Sequence, residues 1–352
     1  MTAPDVVRQR TAAATTASAP SGGPAPAADR RRAPRSAEAV QTTASLLALL
    51  VLAVVFSVLS PQFRTLSNVV SIVDAAALLA IVTVGITFVL VLGAIDLSVE
   101  GLIGACSMTV ALLVANSRTG LDLGLVGVLA TVLLGAAFGL VSGLVATRLR
   151  IPTFMTTLGV NAVGLGVATL LFAGVRPVIE DPGLRAWASQ RVLGVTVGSY
   201  IALGAVVIGW LVQRYTRVGR YAFAIGGAED IARLSGIAVE RYKVVAFAIA
   251  GAFYGLGAVL ATAQLGSGVV QAAAGVNFSA IAAAVIGGTL LVGGRGGVLH
   301  SMIGVLVLTV LQNGLILTGV SPYAQRAVEG VIVVVAVAAA TWPVRHRLGV
   351  VK

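Results

Sequence analysis

Charge is scarce in this sequence. Of 352 residues, 11% are charged, against roughly 25% in soluble domains. Aromatics make up 5%. The one cysteine, Cys106, excludes an internal disulfide and reads as a small packing residue in an apolar stretch. Two histidines, His300 and His346, stand far apart without ligand spacing, so no metal site is expected. Lysine occurs only at Lys243 and Lys352. With the many alanines, that arginine bias points to a GC-rich, bacterial coding genome. No Walker A sequence is present. Gly293-Gly294-Arg295-Gly296-Gly297 lacks the Lys-Ser/Thr ending that grips phosphate and magnesium. Gly-x-Ser-x-Gly, His-Glu-x-x-His and a convincing acid pair are also missing. The chain therefore reads as a non-enzyme with no cofactor.

What is abundant is apolar sequence. Hydrophobic residues make up 58%, and the mean hydropathy is +1.00. A soluble core could not hide this much apolar surface, whereas a bilayer accepts it. With roughly 20 residues per span, about ten spans fit and no large soluble domain does. The expected fold is all-α: a polytopic transmembrane bundle. The net charge of +11 would suggest nucleic acid in a soluble protein. Here it fits the basic cytoplasmic loops of membrane proteins, so lipid rather than nucleic acid is expected around the chain.

Residues 1–42 read as a disordered basic cytoplasmic tail, rich in Ala, Pro, Ser and Thr with Arg30-Arg31-Arg32 and Arg35. A membrane- or partner-binding tail is the functional alternative. A cleaved signal peptide is another, but Leu46–Leu59 lacks a small-x-small site directly after it. The expected membrane domain covers 43–342. Its expected spans are 43–60, 69–93, 99–116, 123–146, 153–174, 194–213, 244–264, 278–293, 298–318 and 325–342. Residues 343–352 form a C-terminal tail. With both termini inside, eighteen of the 24 basic residues fall on the cytoplasmic side and six outside. That bias fits the positive-inside rule and an even span number. Gly135, Gly139 and Gly143, and Gly251 with Gly255, put small residues on one helix face, the signature of close helix approach. Gly255-x-Gly257 lies inside an apolar helix and is no nucleotide fingerprint.

The longest interior hydrophilic segment is 214–243. Within it, Glu229 to Leu234 can form a short helix, acids at its N-terminal end, closed by Gly236. It is either a handle for a partner protein or an ordinary charged loop. Gly219-Arg220-Tyr221-Ala222, Ala224-Ile225-Gly226-Gly227 and Ala232-Arg233-Leu234-Ser235-Gly236-Ile237 resemble the coupling loop of ribose-type ABC-transporter permeases. Three further blocks agree in order: Ala94-Ile95-Asp96-Leu97-Ser98-Val99, Ile151 to Gly159, and Ala280 to Gly296. The likeness runs from about 45 to 342. Ala94 and Glu100 stand where that family often has glycine, and the N-terminal tail is longer than typical.

The resemblance implies an importer in a bacterial plasma membrane. It implies a separate ABC ATPase subunit, an extracytoplasmic binding protein delivering a monosaccharide, and a second permease copy or paralogue. Glu229, Asp230, Arg233, Leu234 and Gly236 are the implied ATPase-coupling residues. Asp96 and Ser98 are expected at a span end near the membrane edge, either as a helix cap or as part of the path. Asn161, Gln264, Gln312 and Asn313 are the polar residues within spans that sugar hydroxyls could use, or that could bond helix to helix. The alternatives are a nucleoside or branched-chain amino-acid permease, or an ion-driven secondary transporter. The last is disfavoured because Asp74 and Glu329 are expected near span ends.

Overall fold

Apolar runs set the architecture. The computed structural model describes residues 34–321 and, beyond them, 324–325, 327–328, 330–332 and 334. Residues 1–33, most of the expected span 325–342 (with Arg326 and Glu329), and the tail 343–352 lie outside the described residues. Among the described residues the elements are almost all helical. They are α1 (Pro34–Leu59), a 3-10 turn (Pro61–Arg64), α2 (Leu66–Val91), α3 (Val99–Leu113), α4 (Leu125–Arg148), α5 (Thr153–Phe172) and α6 (Pro182–Ser189). A hairpin of β1 (Arg191–Val192) and β2 (Val195–Thr196) follows. Then come α7 (Val197–Tyr215), α8 (Arg217–Gly227), α9 (Glu229–Leu234), α10 (Val239–Leu265), α11 (Val276–Gly287) and α12 (Val298–Leu317).

Among the described residues, seven helices are long and apolar enough to cross a membrane: the apolar part of α1, and α2, α4, α5, α7, α10 and α12. Two apolar helices are shorter, α3 with 15 residues and α11 with 12. Helix α1 opens at Pro34, inside the segment expected to be disordered. Proline at the first helical position costs no hydrogen bond, so the helix extends ahead of its apolar part. Helix α10 likewise begins at Val239, five residues before the expected span, because its first turns carry Glu240, Arg241 and Lys243. The expected span 278–293 stops short at Gly287, where Gly288 takes a φ of +111° and the chain turns into a glycine-rich loop.

Helices α2 and α10 are the pillars. From Ile81 to Leu92 every residue of α2 and its cap is buried, as an apolar-all-round helix requires. Helix α10 packs on α2, α3 and α4, and α12 on α1, α2 and α11. The glycine ladders meet where the sequence put them. A Cβ on Gly139 would stand 2.1 Å from the Phe247 carbonyl oxygen, and one on Gly251 would stand 2.2 Å from that of Gly135. In lipid, such backbone approach supplies the dispersion contacts that hydrophobic burial cannot. The outward faces carry exposed leucines and valines, among them Leu50, Leu133, Leu170 and Leu203.

The 173–196 connection carries helix α6 and the hairpin. Asp181 caps α6 by accepting from Leu184 N at 2.6 Å, with Pro182 next to it. The hairpin turns on Leu193 and Gly194, both with positive φ, as its two-residue turn demands. Asp74 of α2 anchors the hairpin's exit. Its carboxylate accepts from Thr196 N and Oγ1 and from Ser199 Oγ, and pairs with Arg191 at 3.2 Å.

Candidate functional site

Two linked features form the site: an unwound stretch inside the bundle, and the polar segment 214–243 beneath it. After α2, residues Leu92–Ser98 form no helix. Their backbone would be unsatisfied in lipid, so it must be buried in protein. Helix α5 supplies the partners from one face, at positions i, i+4 and i+8. Ile95 N donates to Thr153 Oγ1 (3.3 Å), Leu97 N to Thr157 Oγ1 (2.9 Å), and Gly101 N to Asn161 Oδ1 (2.7 Å). Helices α3 and α5 then touch backbone to backbone: a Cβ on Gly101 would meet the Asn161 carbonyl at 2.0 Å.

Asp96 does not sit at an edge as expected. It is 3% exposed, and its neighbour Tyr254 lies roughly 16 Å short of the end of α10. Nor does it cap α3. Oδ1 accepts from Ser98 N (2.9 Å) and Ser98 Oγ (2.6 Å), while Tyr254 donates to Oδ2 at 3.2 Å. The pair thus pins the unwound stretch to α10. Next to it, Glu100 Oε1 accepts from Gly275 N at 3.0 Å, just before α11. The N-terminal ends of the two short helices therefore meet through one carboxylate. Of the other polar candidates, only Asn161 joins this cluster. Gln264 is exposed near the end of α10, and Gln312 is half-buried on α12. Asn313 exchanges amide hydrogen bonds with Asn68 of α2, at 2.9 and 3.0 Å, an interhelical tie.

The glycine-rich loop 288–297 completes the cluster. Gly294 N donates to Val91 O at 2.9 Å, and a Cβ on Gly293 would strike Gly93. A Cβ on Gly226 of α8 would strike both Val91 O and Gly294 N. Thr289 Oγ1, Ser301 Oγ and Thr87 Oγ1 form a buried hydroxyl chain that ties the loop to α2.

Below lies the polar segment 214–243. Thr216 caps α8, accepting from Gly219 N. Helix α9 occupies Glu229–Leu234, as the sequence indicates. It closes in a Schellman motif, with Ile237 N donating to Ala232 O and Gly236 N to Arg233 O, and with Gly236 at φ +80°. Asp230 is exposed. The other charges are spent within the chain. Glu229 pairs with Arg233 (3.1 Å) and Lys243 (2.7 Å), and Arg233 also pairs with Glu240. Burial pushes the Glu229 carboxyl up, but hydrogen bonding and charge from Lys243, then Arg233, outweigh it and hold it below the ordinary carboxylate range. These side chains are struts between α9 and α10, beside a cleft of about 640 Å³ that also reaches Arg150 and Thr153. Beside the exposed Asp230, two apolar side chains project outward from α9: Leu234, 89% exposed, and Ile231, 66% exposed.

The four sequence blocks thus converge on one region. The Asp96 block lies along Thr153 and Thr157 of the second block, and the late glycine block and α8 close on it from below. Comparison with known proteins matches residues 68–337 to the family described as the branched-chain amino acid transport system / permease component. The chain belongs to that family. It is a multi-pass membrane protein, the permease component of a transport system, and not an enzyme. It is 38% identical to the ribose import permease protein RbsC of Escherichia coli K12 over 299 residues, 83% of this chain and 91% of that one. RbsC of Bacillus subtilis is 34% identical over 304 residues, 85% and 92% of the two chains. The galactose/methyl galactoside import permease protein MglC of E. coli K12 is 32% identical over 306 residues, 82% and 91%. No solved structure matches the chain.

Sequence reasoning missed Tyr254, Glu240 and Lys243 as partners. Tyr254 was visible as a lone phenol within an apolar span, and Thr153, Thr157 and Asn161 as a polar stripe at helical spacing.

Proposed function

We propose that this permease serves an ABC importer of ribose or a related monosaccharide. The observation that carries this reading is the convergence of all four blocks on the unwound stretch, in a chain whose relatives are named for ribose and galactose import. On this reading the permease crosses the membrane about ten times with both termini cytoplasmic, and pairs with a second copy or paralogue. An extracytoplasmic binding protein docks at the α6–hairpin face, where Leu193 is 94% exposed. A separate ATPase grips Leu234 and Ile231 of α9. Closing of the ATPase moves α9, and the Glu229–Arg233–Lys243 struts carry that movement to α10. Helix α8 passes it through Gly226 to the loop at Gly294 and the end of α2. The unwound stretch, held by hydrogen bonds rather than by a helix, is the part able to shift. Sugar hydroxyls would pass where α3 and α11 meet, with Glu100 as an acceptor.

The test is uptake of labelled ribose by cells making the complete transporter, in competition with galactose, nucleosides and leucine. Competition by ribose or galactose alone supports the reading. Competition by leucine would favour the amino-acid branch that the family description names, and competition by nucleosides would contradict a sugar substrate.

A further inference from the structure

A second site lies away from the path, at the start of α12. A cleft of about 260 Å³ opens between α7, α8 and α12, lined by Trp210, Gln213, Arg214, Arg220, Phe223 and His300 with the glycine-rich turn. Arg214 and Arg220 are exposed on its rim, and neither forms an ion pair among the described residues. Among the described residues, no acidic side chain lines it.

The floor is built for an anion. Helix α12 has 20 residues and begins here, its free amides carrying the positive end of its dipole. Val298 N is taken by Gln213 Oε1 at 2.8 Å and Gly297 N by Thr289 Oγ1, while the amides of Leu299 and His300 find no acceptor among the described residues. Gln213 is 7% exposed, and its Oε1 bond to Val298 fixes which way the amide faces. Its Nε2 is buried and has no hydrogen-bond partner among the described residues. A buried donor left in that state is destabilising unless a ligand accepts from it.

The surroundings are those of a lipid. An exposed apolar stripe, Leu203, Val207, Leu211 and Tyr215, runs along α7 to the cleft, and Leu299 is exposed beside it. Trp210 stacks edge-on against Tyr215, an aromatic pair of the kind found at membrane interfaces. On the orientation proposed above, this mouth lies at the cytoplasmic leaflet.

We propose that the cleft binds the phosphodiester headgroup of an anionic phospholipid. Arg214, Arg220, the Gln213 amide and the α12 amides hold the phosphate, and the acyl chains lie on the α7 stripe. The test is native mass spectrometry of the purified full-length permease carrying Arg214→Gln and Arg220→Gln, both exposed positions. The probes are phosphatidylglycerol, phosphatidylcholine and inorganic phosphate. Expected is preferential retention of phosphatidylglycerol by the unaltered protein, weakened about tenfold in the double variant. Equal retention by both proteins would overturn the proposal. So would retention of inorganic phosphate in place of lipid, or unchanged lipid with loss of a co-purifying ATPase, which would make the cleft a protein-docking surface. None of these lipid outcomes depends on which solute is carried.

Discussion

At the level of single residues, the hydrogen bonds around Asp96 hold non-helical backbone inside the bundle. Tyr254→Phe removes one donor to a buried carboxylate and is expected to destabilise the protein by about 1–2 kcal/mol. Asp96→Ala leaves both the Tyr254 and Ser98 hydroxyls unpaired and should cost more, on the order of 2–4 kcal/mol. Thermal unfolding in detergent measures both, and equal melting temperatures for Tyr254→Phe and the unaltered protein would remove the pin. Glu229 carries a pH signature. Its carboxyl titrates below the ordinary 4.5 because Lys243 and Arg233 favour its charged form despite burial. The strut's contribution is therefore present above pH 4.5 and is lost as pH falls through the depressed value. A spin-label distance between α9 and α10 should stay constant from neutral pH down to the ordinary carboxylate range and widen only in more acid solution.

At the level of elements, the glycine faces test the packing. Gly139→Ala places a methyl against the Phe247 carbonyl and should force α4 from α10, at about 1–3 kcal/mol. Gly204→Ala on α7 meets nothing within 4 Å and should be neutral or slightly stabilising. Comparable melting temperatures for the two variants would contradict the packing. The elements also show how far sequence reaches. Spans α4, α5, α7 and α12 lie within three residues of where hydropathy puts them, because a lipid-facing helix must be apolar along its length. Helix α9 was legible because its acids, its apolar spacing and Gly236 all mark ends. The break after α2 was legible, since the expected spans 69–93 and 99–116 leave 94–98 between them. Its burial was not, because the partners of Ile95 N and Leu97 N are Thr153 and Thr157, far along the chain. The struts at Glu229 escaped for the same reason, since Lys243 lies fourteen residues away.

At the level of the whole molecule, sidedness decides which partner each face can meet. Cys106 is fully buried, so added cysteines can be labelled against a silent background. An impermeant maleimide should reach Leu193→Cys in intact cells, and Leu234→Cys only after permeabilisation. The reverse pattern would turn the bundle over and separate α9 from any cytoplasmic ATPase. The central claim is that α9 is the handle through which a separate ATPase drives this permease. Gentle purification of the tagged chain from its native membrane tests it most directly, with Leu234→Asp beside the unaltered protein. An ATP-hydrolysing subunit should accompany the unaltered permease and be lost from a Leu234→Asp variant of unchanged melting temperature. An ATPase retained in full by that variant, or a lone permease that still carries solute down an ion gradient, would contradict it.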